Sequence, residues 1–417
     1  MIRTSNLPWK SPISKLPAQI STEKSDQGPT VQTSTLSNDQ IEKSRRDIPY
    51  LQDIVYVDNA AVSPVPSRVE KASNRYTELT VRNLREVTEI AIDEFDRGRA
   101  LAAMLVGSSP SSIAYVQNTS HGLSQVAMGI EWREGDNLVV PAQEFPSNYL
   151  CWLQLQKLGV EVRRVESTNG RIEPEDLMPH VDRRTRLVSI SHVQFYSGFR
   201  VDLGKIAEVC AKHHALLVVD GTQSIGAMSL SVEASGVDVL VVSGHKWMLA
   251  PRGIGFMAMS DRALEVVQPR IVGWLSVNEP FAFKRTLDLL PDARRFESGT
   301  PNGSGIYGLT ERLRQIYELG PQAIHRRVLH LHEYMKQRCL QAGLEVVFDF
   351  EECSRSGILL VRKPGTPAET LHAALNAAGI YASVRSNAIR LSPHYYNTDE
   401  EMDRIVNTMS EVSSLTV

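Results

Sequence analysis

Short apolar runs alternate with amphipathic stretches along this chain from about residue 48 onward. Each run is apolar over nearly its whole length, and stretches with helical periodicity, such as residues 203–213, lie between the runs. Strands that are apolar on both faces are typical of a parallel sheet that helices cover on both sides. The alternation therefore predicts an α/β fold, with strands at residues 113–116, 137–140, 186–190, 215–219 and 237–242.

The pattern changes after Gly305, where long helical stretches at residues 306–319 and 321–342 replace the alternation. Shorter strands and helices follow as far as residue 412, and this order predicts a small α+β domain. We therefore expect a large domain over residues 47–305 and a smaller C-terminal α+β domain over residues 306–417.

Residues 1–46 differ from the rest, because they are rich in Ser, Thr, Gln and Pro and show no sustained hydrophobic period. This composition predicts a disordered extension. The first 22 residues contain Arg3, Lys10 and Lys15 but no acidic residue, so an organelle-targeting peptide is the alternative to a solvated tail.

Composition and charge exclude several kinds of partner. Of the 417 residues, 42% are hydrophobic and 22% are charged, as in an ordinary globular protein, and the formal net charge is −3. So small a charge gives no global field that would draw the protein to nucleic acid or to an anionic membrane. No apolar run reaches the length of a membrane span. The four cysteines are widely separated, which argues against a disulfide framework and a zinc site and favours a cytoplasmic protein.

Two residues at the ends of predicted strands point to a cofactor. Asp220 and Lys246 each follow a predicted strand, and the 26 positions between them suit a single crossover to the same edge of the sheet. Pyridoxal 5'-phosphate (PLP) needs an amine to form an imine with its aldehyde, and an anion to keep its pyridine nitrogen protonated. The alternative is that Asp220 caps a helix and Lys246 is a solvated surface residue. Ser243 and His245, just before the lysine, favour the cofactor.

The stretch from Val218 to Ser224, followed by the stretch from Ser243 to Trp247, resembles the fold-type I PLP enzymes of aminotransferase class V. That group includes cysteine desulfurases, selenocysteine lyases, kynureninase-like enzymes and isopenicillin N epimerase. The resemblance runs from about Tyr56 to Met409, and its Asp…Gln…Ser-x-His-Lys core is specific for the fold and the cofactor but not for the reaction. It implies a large domain with a mostly parallel seven-stranded sheet between helices, and a smaller α+β C-terminal domain.

The resemblance also implies a role for each of several polar residues. Lys246 forms the internal aldimine with PLP and, once released by the substrate, moves the α-proton. Asp220 pairs with the pyridinium nitrogen. Gln223 hydrogen-bonds near the phenolic oxygen of the ring, and Gln194 is a second candidate for that contact.

A phosphate site is predicted from two stretches of the sequence. In the family resemblance Ser243 and His245 bind the phosphate, although a histidine here can also be an ordinary core residue. Residues 117–122 open an amphipathic helix, and backbone N–H groups at a helix N-terminus bind anions. Thr119, Ser120 and His121 are the candidates in that stretch, where a plain N-cap is the alternative reading and is compatible with phosphate binding.

Four further residues complete the set that the resemblance implies. Phe145 is the candidate for stacking on the pyridine ring, where desulfurases usually carry His. Arg390 matches the family arginine that binds the substrate α-carboxylate. The forked donors of an arginine suit a planar carboxylate. Asn59, in the loop that resembles the family's entrance loop, could line the substrate side. Thr300 matches the threonine that reaches the phosphate from the partner subunit, which implies a homodimer with a shared active site.

The chain departs from the desulfurases at residues 379–389, where they carry a mobile cysteine and this sequence carries none. Cys353 lies 37 positions before Arg390 and is a poor substitute. Persulfide-forming desulfuration is therefore disfavoured, which leaves β-elimination, transamination and epimerisation of a small amino-acid substrate. Relatives that lack this cysteine and act as C–S lyases favour β-elimination, by analogy.

The sequence argues against two other classes of protein. A nicotinamide dehydrogenase would need a glycine-rich turn between a strand and a helix, but residues 253–258 lie inside an apolar run that reads as a strand. A non-catalytic binding protein on the same fold would have no need of Asp220, His245 and Lys246 together.

Overall fold

The computed structural model describes residues 35–84 and 87–413, and strands alternate with helices over most of that length. Its helices are α1 Asn38–Arg46, α2 Ser67–Arg82, α3 Val87–Leu105, α4 Thr119–Gly129, α5 Ser147–Leu153, α6 Pro174–Leu177, α7 Leu203–Lys212, α8 Asp261–Val266, α9 Gly303–Leu319, α10 Pro321–Gln341, α11 Ala368–Ala377 and α12 Asp399–Glu411. Its strands are β1 Val55–Tyr56, β2 Ile113–Val116, β3 Asn137–Pro141, β4 Glu161–Val165, β5 Thr185–Ser191, β6 Leu216–Asp220, β7 Val239–Ser243, β8 Gly255–Met259, β9 Glu345–Val346, β10 Leu359–Arg362, β11 Ile380–Tyr381, β12 Ser383–Arg385 and β13 Ala388–Leu391.

A seven-stranded sheet forms the centre of the fold, in the order β2-β8-β7-β6-β5-β3-β4. Neighbouring strands from β7 to β4 pair in parallel, whereas β8 is antiparallel to both of its neighbours. The predicted α/β class with a mostly parallel sheet is therefore confirmed. The five strands predicted from apolar runs are all present, each within two residues at either end. Most of the run that includes residues 253–258 forms strand β8, Gly255–Met259, as predicted, and no helix follows Gly253 there, so it is not a dinucleotide-binding turn.

Both faces of this sheet are buried except at the edge strand β4, which is why the other strands are apolar nearly throughout. In β6, Leu216 and Val218 belong to one hydrophobic cluster, whereas Leu217 and Val219 belong to the cluster on the other face. Successive side chains of a strand point to opposite faces, so a strand covered on both sides has little room inside it for polar groups that lack a partner. Polar chemistry is therefore confined to the ends of the strands.

A smaller, four-stranded antiparallel sheet follows in the C-terminal part, in the order β12-β13-β10-β9. Its cluster of buried side chains also contains Val55 and Val57, from near the start of the described chain. Strand β1 pairs in parallel with β11, with Val55 opposite Ile380. The division into domains at residues 305 and 306 stays a prediction. The first strand of the predicted large domain nevertheless joins the smaller α+β part.

The predicted disordered extension ends too late in the sequence. Residues 1–34 lie outside the described residues, but residues 38–46 of the extension form helix α1. Ser37 and Gln40 form a capping box at its start, and Ile41 is buried against the core. Arg45 donates from Nη2 to Glu401 Oε1 at 2.8 Å. Helix α1 is held by one buried side chain and by an ion pair with a distant residue. A helix with a single buried side chain shows no repeating apolar pattern, which is why no sign of it appears in the sequence.

The carboxyl ends of β2, β3, β5, β6 and β7 lie at the same edge of the sheet, because these strands all run in the same direction. The loops that follow them carry most of the predicted site residues. Among the described residues, no helix is long and apolar enough to cross a membrane. In the same part of the chain, no group of three or more His, Cys, Asp or Glu side chains could hold a metal ion.

Candidate active site

A cavity of about 420 Å³ opens at the carboxyl edge of the sheet. Most of the predicted site residues line it together. These are Thr119, Ser120, Phe145, Asp220, Gln223, Ser243, His245, Lys246 and Arg390. Other lining residues are Ala60, Ala61, Asn118, Ser147, Ser191, Phe195, Thr222 and Arg385.

Lys246 and Asp220 bring an amine and a carboxyl group to this cavity. Burial lowers the pKa of Lys246 to about 8, although the charge of Asp220 acts in the opposite direction. Asp220 ends β6, is buried, and accepts a hydrogen bond from Thr222 N to its Oδ1 at 2.8 Å. Burial also raises the pKa of Asp220. A buried carboxylate beside an amine suits a cationic ring nitrogen, so these residues fit the PLP ring.

A cluster of hydroxyl groups lies at the N-terminus of α4. Thr119 Oγ1 is 2.6 Å from Thr222 Oγ1 and 2.7 Å from Ser243 Oγ, and Thr119 N donates to Ser243 Oγ at 2.8 Å. Ser120 Oγ is 2.7 Å from Ser147 Oγ. Hydroxyl groups together with the N-terminus of a helix are the donor set that a phosphate group needs. These residues therefore fit the phosphate of PLP.

Helix α4 approaches the sheet very closely, which brings its N-terminus to the cavity. A Cβ atom on Gly122 would lie 2.5 Å from Val241 Cγ1, so only glycine fits at this position. Asn118 caps the helix, and its Oδ1 accepts from His121 N at 2.9 Å. The cap turns the chain from β2 into the helix at the edge of the sheet.

His245 lines the cavity next to Lys246. Burial, and then the charge of Lys246, lowers the pKa of His245 to about 4. Its imidazole is therefore neutral near pH 7. In that state it can donate or accept a hydrogen bond but contributes no positive charge.

Phe145 faces the cavity, and the centroid of its ring is 5.0 Å from Lys246 Nζ. Its ring packs edge-on against Phe195, with the two centroids 5.3 Å apart. The preceding residue, Glu144, is buried and accepts hydrogen bonds from Ser191 N at 2.7 Å and from Gln194 Nε2 at 2.8 Å. Glu144 therefore fixes the chain that carries Phe145 to the end of β5.

Gln194 does not line the cavity, and its predicted contact with the phenolic oxygen of PLP stays a prediction. Its side-chain amide is used to hold Glu144. Gln223 does line the cavity, but its amide also joins two other segments. It donates from Nε2 to Ala60 O at 2.9 Å and accepts from Trp247 Nε1 at 2.8 Å. One amide hydrogen of Gln223 is left over for a ligand.

Arg390 lies in β13 and is buried at the cavity wall. It donates from Nη2 to Asp58 Oδ1 and from Nη1 to Phe195 O, each at 3.2 Å. Its buried Nε has no hydrogen-bond partner within the described part of the chain. An arginine with a free buried N–H in a cavity is suited to bind a carboxylate.

Asn59 is a correction to the sequence-based set, because it does not line the cavity. It is fully buried and donates from Nδ2 to Ser392 O at 2.9 Å. Its Oδ1 accepts from Ser63 Oγ at 2.7 Å and from Tyr396 OH at 2.9 Å. Asn59 therefore holds the entrance loop in place, and Ala60 and Ala61 present the loop to the cavity.

His121 and Thr300 also lie away from the cavity. His121 Nδ1 accepts from the backbone of Gln117 at 3.4 Å. Thr300 is exposed, in a segment anchored by the ion pair between Arg99 and Glu297 at 2.7 Å. The contact of Thr300 with a partner subunit's phosphate site stays a prediction.

The sequence-based set missed several residues of the cavity. Thr222 lies within the Asp-Gly-Thr-Gln motif, and Ser147 is two residues after Phe145, so their position beside known candidates was a usable signal. Phe195 and Ser191 gave no such signal, because a single Phe or Ser after a strand is common in any fold.

No cysteine within residues 35–84 and 87–413 lines the cavity. The stretch 379–389 forms β11, β12 and the start of β13. Ser386 and Asn387 join β12 to β13 as a two-residue turn, with φ of 51° and 53°. Cys353 is exposed and lies outside the cavity. The place of the mobile desulfurase cysteine is therefore taken by a tight hairpin.

This combination of sheet and cavity is that of the fold-type I PLP enzymes. The chain belongs to the aminotransferase class V family, because the profile of that family matches residues 55–405.

Individual relatives agree with this assignment. The chain is 31% identical over 397 residues to a probable cysteine desulfurase of Methanothermobacter thermautotrophicus, which covers 90% of this chain and 98% of the relative. The apo structure of a cysteine desulfurase from Thermococcus onnurineus NA1 superposes with a TM-score of 0.81 at 25% identity, covering 89% of this chain and 97% of the other.

Two structures of C-DES, a cystine C–S lyase, share the fold with TM-scores of 0.81 and 0.80. Both are 21% identical to this chain; they cover 88% and 87% of it, and it covers 99% of each of them. In one of them glycine is covalently linked to the PLP cofactor, and the other contains the product cysteine persulfide.

Proposed function

We propose that this protein is a PLP-dependent enzyme that cleaves a C–S bond of an amino-acid substrate by β-elimination. One observation carries the proposal: Lys246, Asp220 and Arg390 share a single cavity that is lined by no cysteine of the described chain. An amine, a buried carboxylate and an arginine are sufficient for chemistry at the α-carbon, and the thiolate that a desulfurase needs is missing.

Different residues of the cavity would bind different parts of the cofactor. Asp220 would hold the protonated ring nitrogen, and Phe145 would cover the face of the ring. The hydroxyls of Thr119 and Ser243, with the N-terminus of α4 and the neutral His245, would hold the phosphate. When bound, PLP supplies an electron sink for the pair of electrons that the α-proton leaves behind.

Arg390 and Lys246 carry the proposed reaction. Arg390 binds the α-carboxylate and so orients the α-carbon. Lys246, whose pKa is lowered to about 8, takes the α-proton on Nζ, because a base with a pKa near the working pH is the more effective one. The C–S bond then breaks, and its electron pair leaves with the sulfur. Addition of water gives pyruvate and ammonia, so the products are these two and a thiol or persulfide, without any oxidant.

We also propose that the enzyme is a homodimer. The segment 271–287 exposes large apolar side chains, and exposed patches of this kind are typical of interfaces. These side chains belong to Ile271, Val272, Trp274, Phe281, Phe283 and Leu287. Thr300 follows in the same part of the chain. A dimer through this segment would bring Thr300 to the partner's site, as the family resemblance implies. The reducing cytoplasm is the proposed location, since none of the four cysteines forms a disulfide.

The test is to incubate the PLP-loaded protein with L-cystine and with S-substituted L-cysteines, and to measure pyruvate with lactate dehydrogenase. We expect pyruvate and ammonia in equal amounts, and no pyruvate from a Lys246→Ala variant. Conversion of the cofactor to its pyridoxamine form, without pyruvate, would make the protein an aminotransferase. Loss of optical activity alone would make it an epimerase. If the protein binds no PLP at all, it is a non-catalytic member of the fold.

A further inference from the structure

A second arginine, Arg385, lines the same cavity as Arg390. The two lie on the β12–β13 hairpin, where Ser383 pairs with Arg390 and Arg385 pairs with Ala388. Residues directly opposite in an antiparallel pair point to one face, and positions two apart along a strand share that face. The register therefore puts Arg385 and Arg390 on the same face of the hairpin, the face that the cavity reaches.

The two arginines differ in their acidic partners. Arg390 pairs with Asp58, and the Oδ1 of Asp58 also accepts from Ser383 Oγ at 2.9 Å. Arg385 donates from Nη1 to Val384 O at 2.6 Å, and no acidic side chain of the described chain forms an ion pair with it. Within residues 35–84 and 87–413, Arg385 is thus an exposed cation at the cavity whose one hydrogen-bond partner is a backbone carbonyl.

We propose that Arg385 binds a second anionic group of the substrate, so that the substrate is an amino acid with a carboxylate or similar anion beyond its sulfur atom. This inference rests on the proposed C–S lyase function and assigns its substrate class. A substrate with one carboxylate occupies Arg390 and leaves Arg385 without a counter-charge in the cavity. A dianion joined through sulfur satisfies both guanidinium groups, and the rings of Phe145 and Phe195 form an apolar wall for the sulfur linkage.

The competing arrangement is that both arginines bind the single α-carboxylate. The two arrangements differ in one measurable respect, because only a second anion site gives a preference for charge at the far end of the substrate. A matched pair of substrates tests this directly. One is the mixed disulfide of L-cysteine with 3-mercaptopropionate, and the other is the same disulfide with 3-mercaptopropionamide. The two have nearly the same shape and the same leaving sulfur, and differ in one distal charge.

We expect kcat/KM for pyruvate release to be about tenfold higher for the carboxylate than for the amide, since one charge-assisted contact at an exposed site is worth roughly that factor. In an Arg385→Gln variant this ratio should fall toward one, and Arg385→Lys should keep part of it. Arg183→Gln is the matched control, because Arg183 is also exposed but does not line the cavity, and it should keep the wild-type ratio. Equal kcat/KM for the two substrates in the wild type would overturn the inference and leave the lyase function intact.

A binding measurement separates the two proposals if neither disulfide releases pyruvate. 3,3'-Dithiodipropionate has a carboxylate at each end but no amino group, so it cannot react. Calorimetric titration of the wild-type protein should give a Kd about tenfold lower for this dianion than for its monoamide. The difference should disappear in Arg385→Gln. A preference for the dianion without pyruvate from any substrate would support the second anion site and reject the lyase function, whereas equal affinities would reject the anion site.

Discussion

At the scale of the residue, the position of Lys246 at the end of a buried strand sets its chemistry. The amine is surrounded by protein, and this burial lowers its pKa. The positive charges of Arg390 and Arg385 at the cavity wall lower the pKa of Lys246 further. The pKa of about 8 that follows leaves about one amine in ten neutral at pH 7. Burial therefore suits Lys246 to the proposed roles of reactive amine and proton carrier near neutral pH, and the charges of Asp220 and Asp58 act in the opposite direction on its pKa.

This lowered pKa predicts the pH profile of lysine acylation in the protein without cofactor. Only the neutral amine reacts, so acylation of Lys246 should rise about tenfold per pH unit up to about pH 8 and then level off. An Asp220→Asn variant should shift this rise to lower pH, because the charge of Asp220 raises the pKa of Lys246. The measurement is limited acylation at each pH, followed by peptide mass spectrometry.

Lys284 is an internal control in the same digests. It lies at the surface, where its hydrogen bond to Glu279 raises its pKa. Its acylation should therefore continue to rise at pH values where that of Lys246 has levelled off. If the two lysines share one profile, the burial of Lys246 does not govern its reactivity.

The sequence-based candidates that meet in the cavity are mainly those whose position follows from a strand end. Asp220, Ser243 and Lys246 come directly after apolar runs, so their meeting at one edge follows from the direction of the strands. The direction of a side chain that bonds to a distant segment does not follow from any local pattern. Asn59 turns toward Ser392, 333 positions away, and so lies outside the cavity although its neighbours Ala60 and Ala61 line it.

At the scale of the element, the contact of α4 with the sheet decides where the donors proposed to bind phosphate lie. Gly122 permits this contact, since a methyl group there would overlap Val241. The helix N-terminus and the hydroxyl of Thr119 are held at the sheet edge as a result. If a larger side chain at position 122 pushed the helix away from the sheet, the N-terminus of α4 would move away from Ser243.

A Gly122→Ala substitution should therefore lower the free energy of unfolding by about 1–3 kcal/mol, the usual result of forcing a methyl group into a packed interface. It should also weaken the retention of PLP during dialysis, because the N-terminus of α4 moves. Urea unfolding followed by circular dichroism measures the first effect, and cofactor absorbance measures the second.

The matched control is Gly204→Ala in helix α7. The nearest atom to a Cβ atom at Gly204 is Asp202 Oδ1 at 3.5 Å, an ordinary contact, so alanine fits there. Alanine is a better helix former than glycine by about 0.5–1 kcal/mol, so the urea midpoint should stay or rise. Equal losses in the two variants would show that the close contact of α4 is not the cause.

The elements themselves were predictable where one local signal decides them. The central strands other than β4 were found from their apolar runs, and α7 from its helical period. Strand β1 was not found, because its two residues are a strand only through pairing with β11. Helix α1 was missed because it contains one buried side chain, Ile41, and owes its order to a cap and an ion pair with a residue near the other end of the chain. Pairing between distant segments produces no hydrophobic periodicity in the sequence of either segment.

At the scale of the whole molecule, the proposed dimer predicts that two different inactive chains can repair each other. A Lys246→Ala chain has no catalytic amine, and a Thr300→Val chain lacks the hydroxyl that is proposed to reach the partner's phosphate site. In a mixed dimer with shared sites, one site combines both defects and the other has neither. Refolding the two variants together should therefore restore pyruvate release and PLP binding at about one site in two of the mixed dimers.

The controls are each variant refolded alone and light scattering of the mixture. Each variant alone should remain impaired, and the scattering should give twice the mass of the chain. If the mixture is no better than the sum of its parts, Thr300 acts within its own chain or not at all. A monomeric mass would reject the dimer itself.

The parallel pairing of β1 with β11 has a consequence for the order of events during synthesis. Val55 leaves the ribosome 325 residues before its partner Ile380, which is roughly 16 to 65 s at translation rates of about 5–20 residues per second. A similar time separates the synthesis of Asp58 from that of its partner Arg390. The central sheet can therefore assemble on the growing chain, whereas the contact of Asp58 with Arg390 forms only when the chain is nearly complete. An unfinished chain can have a lysine at a sheet edge, but it lacks the arginine that is proposed to hold the carboxylate of a substrate.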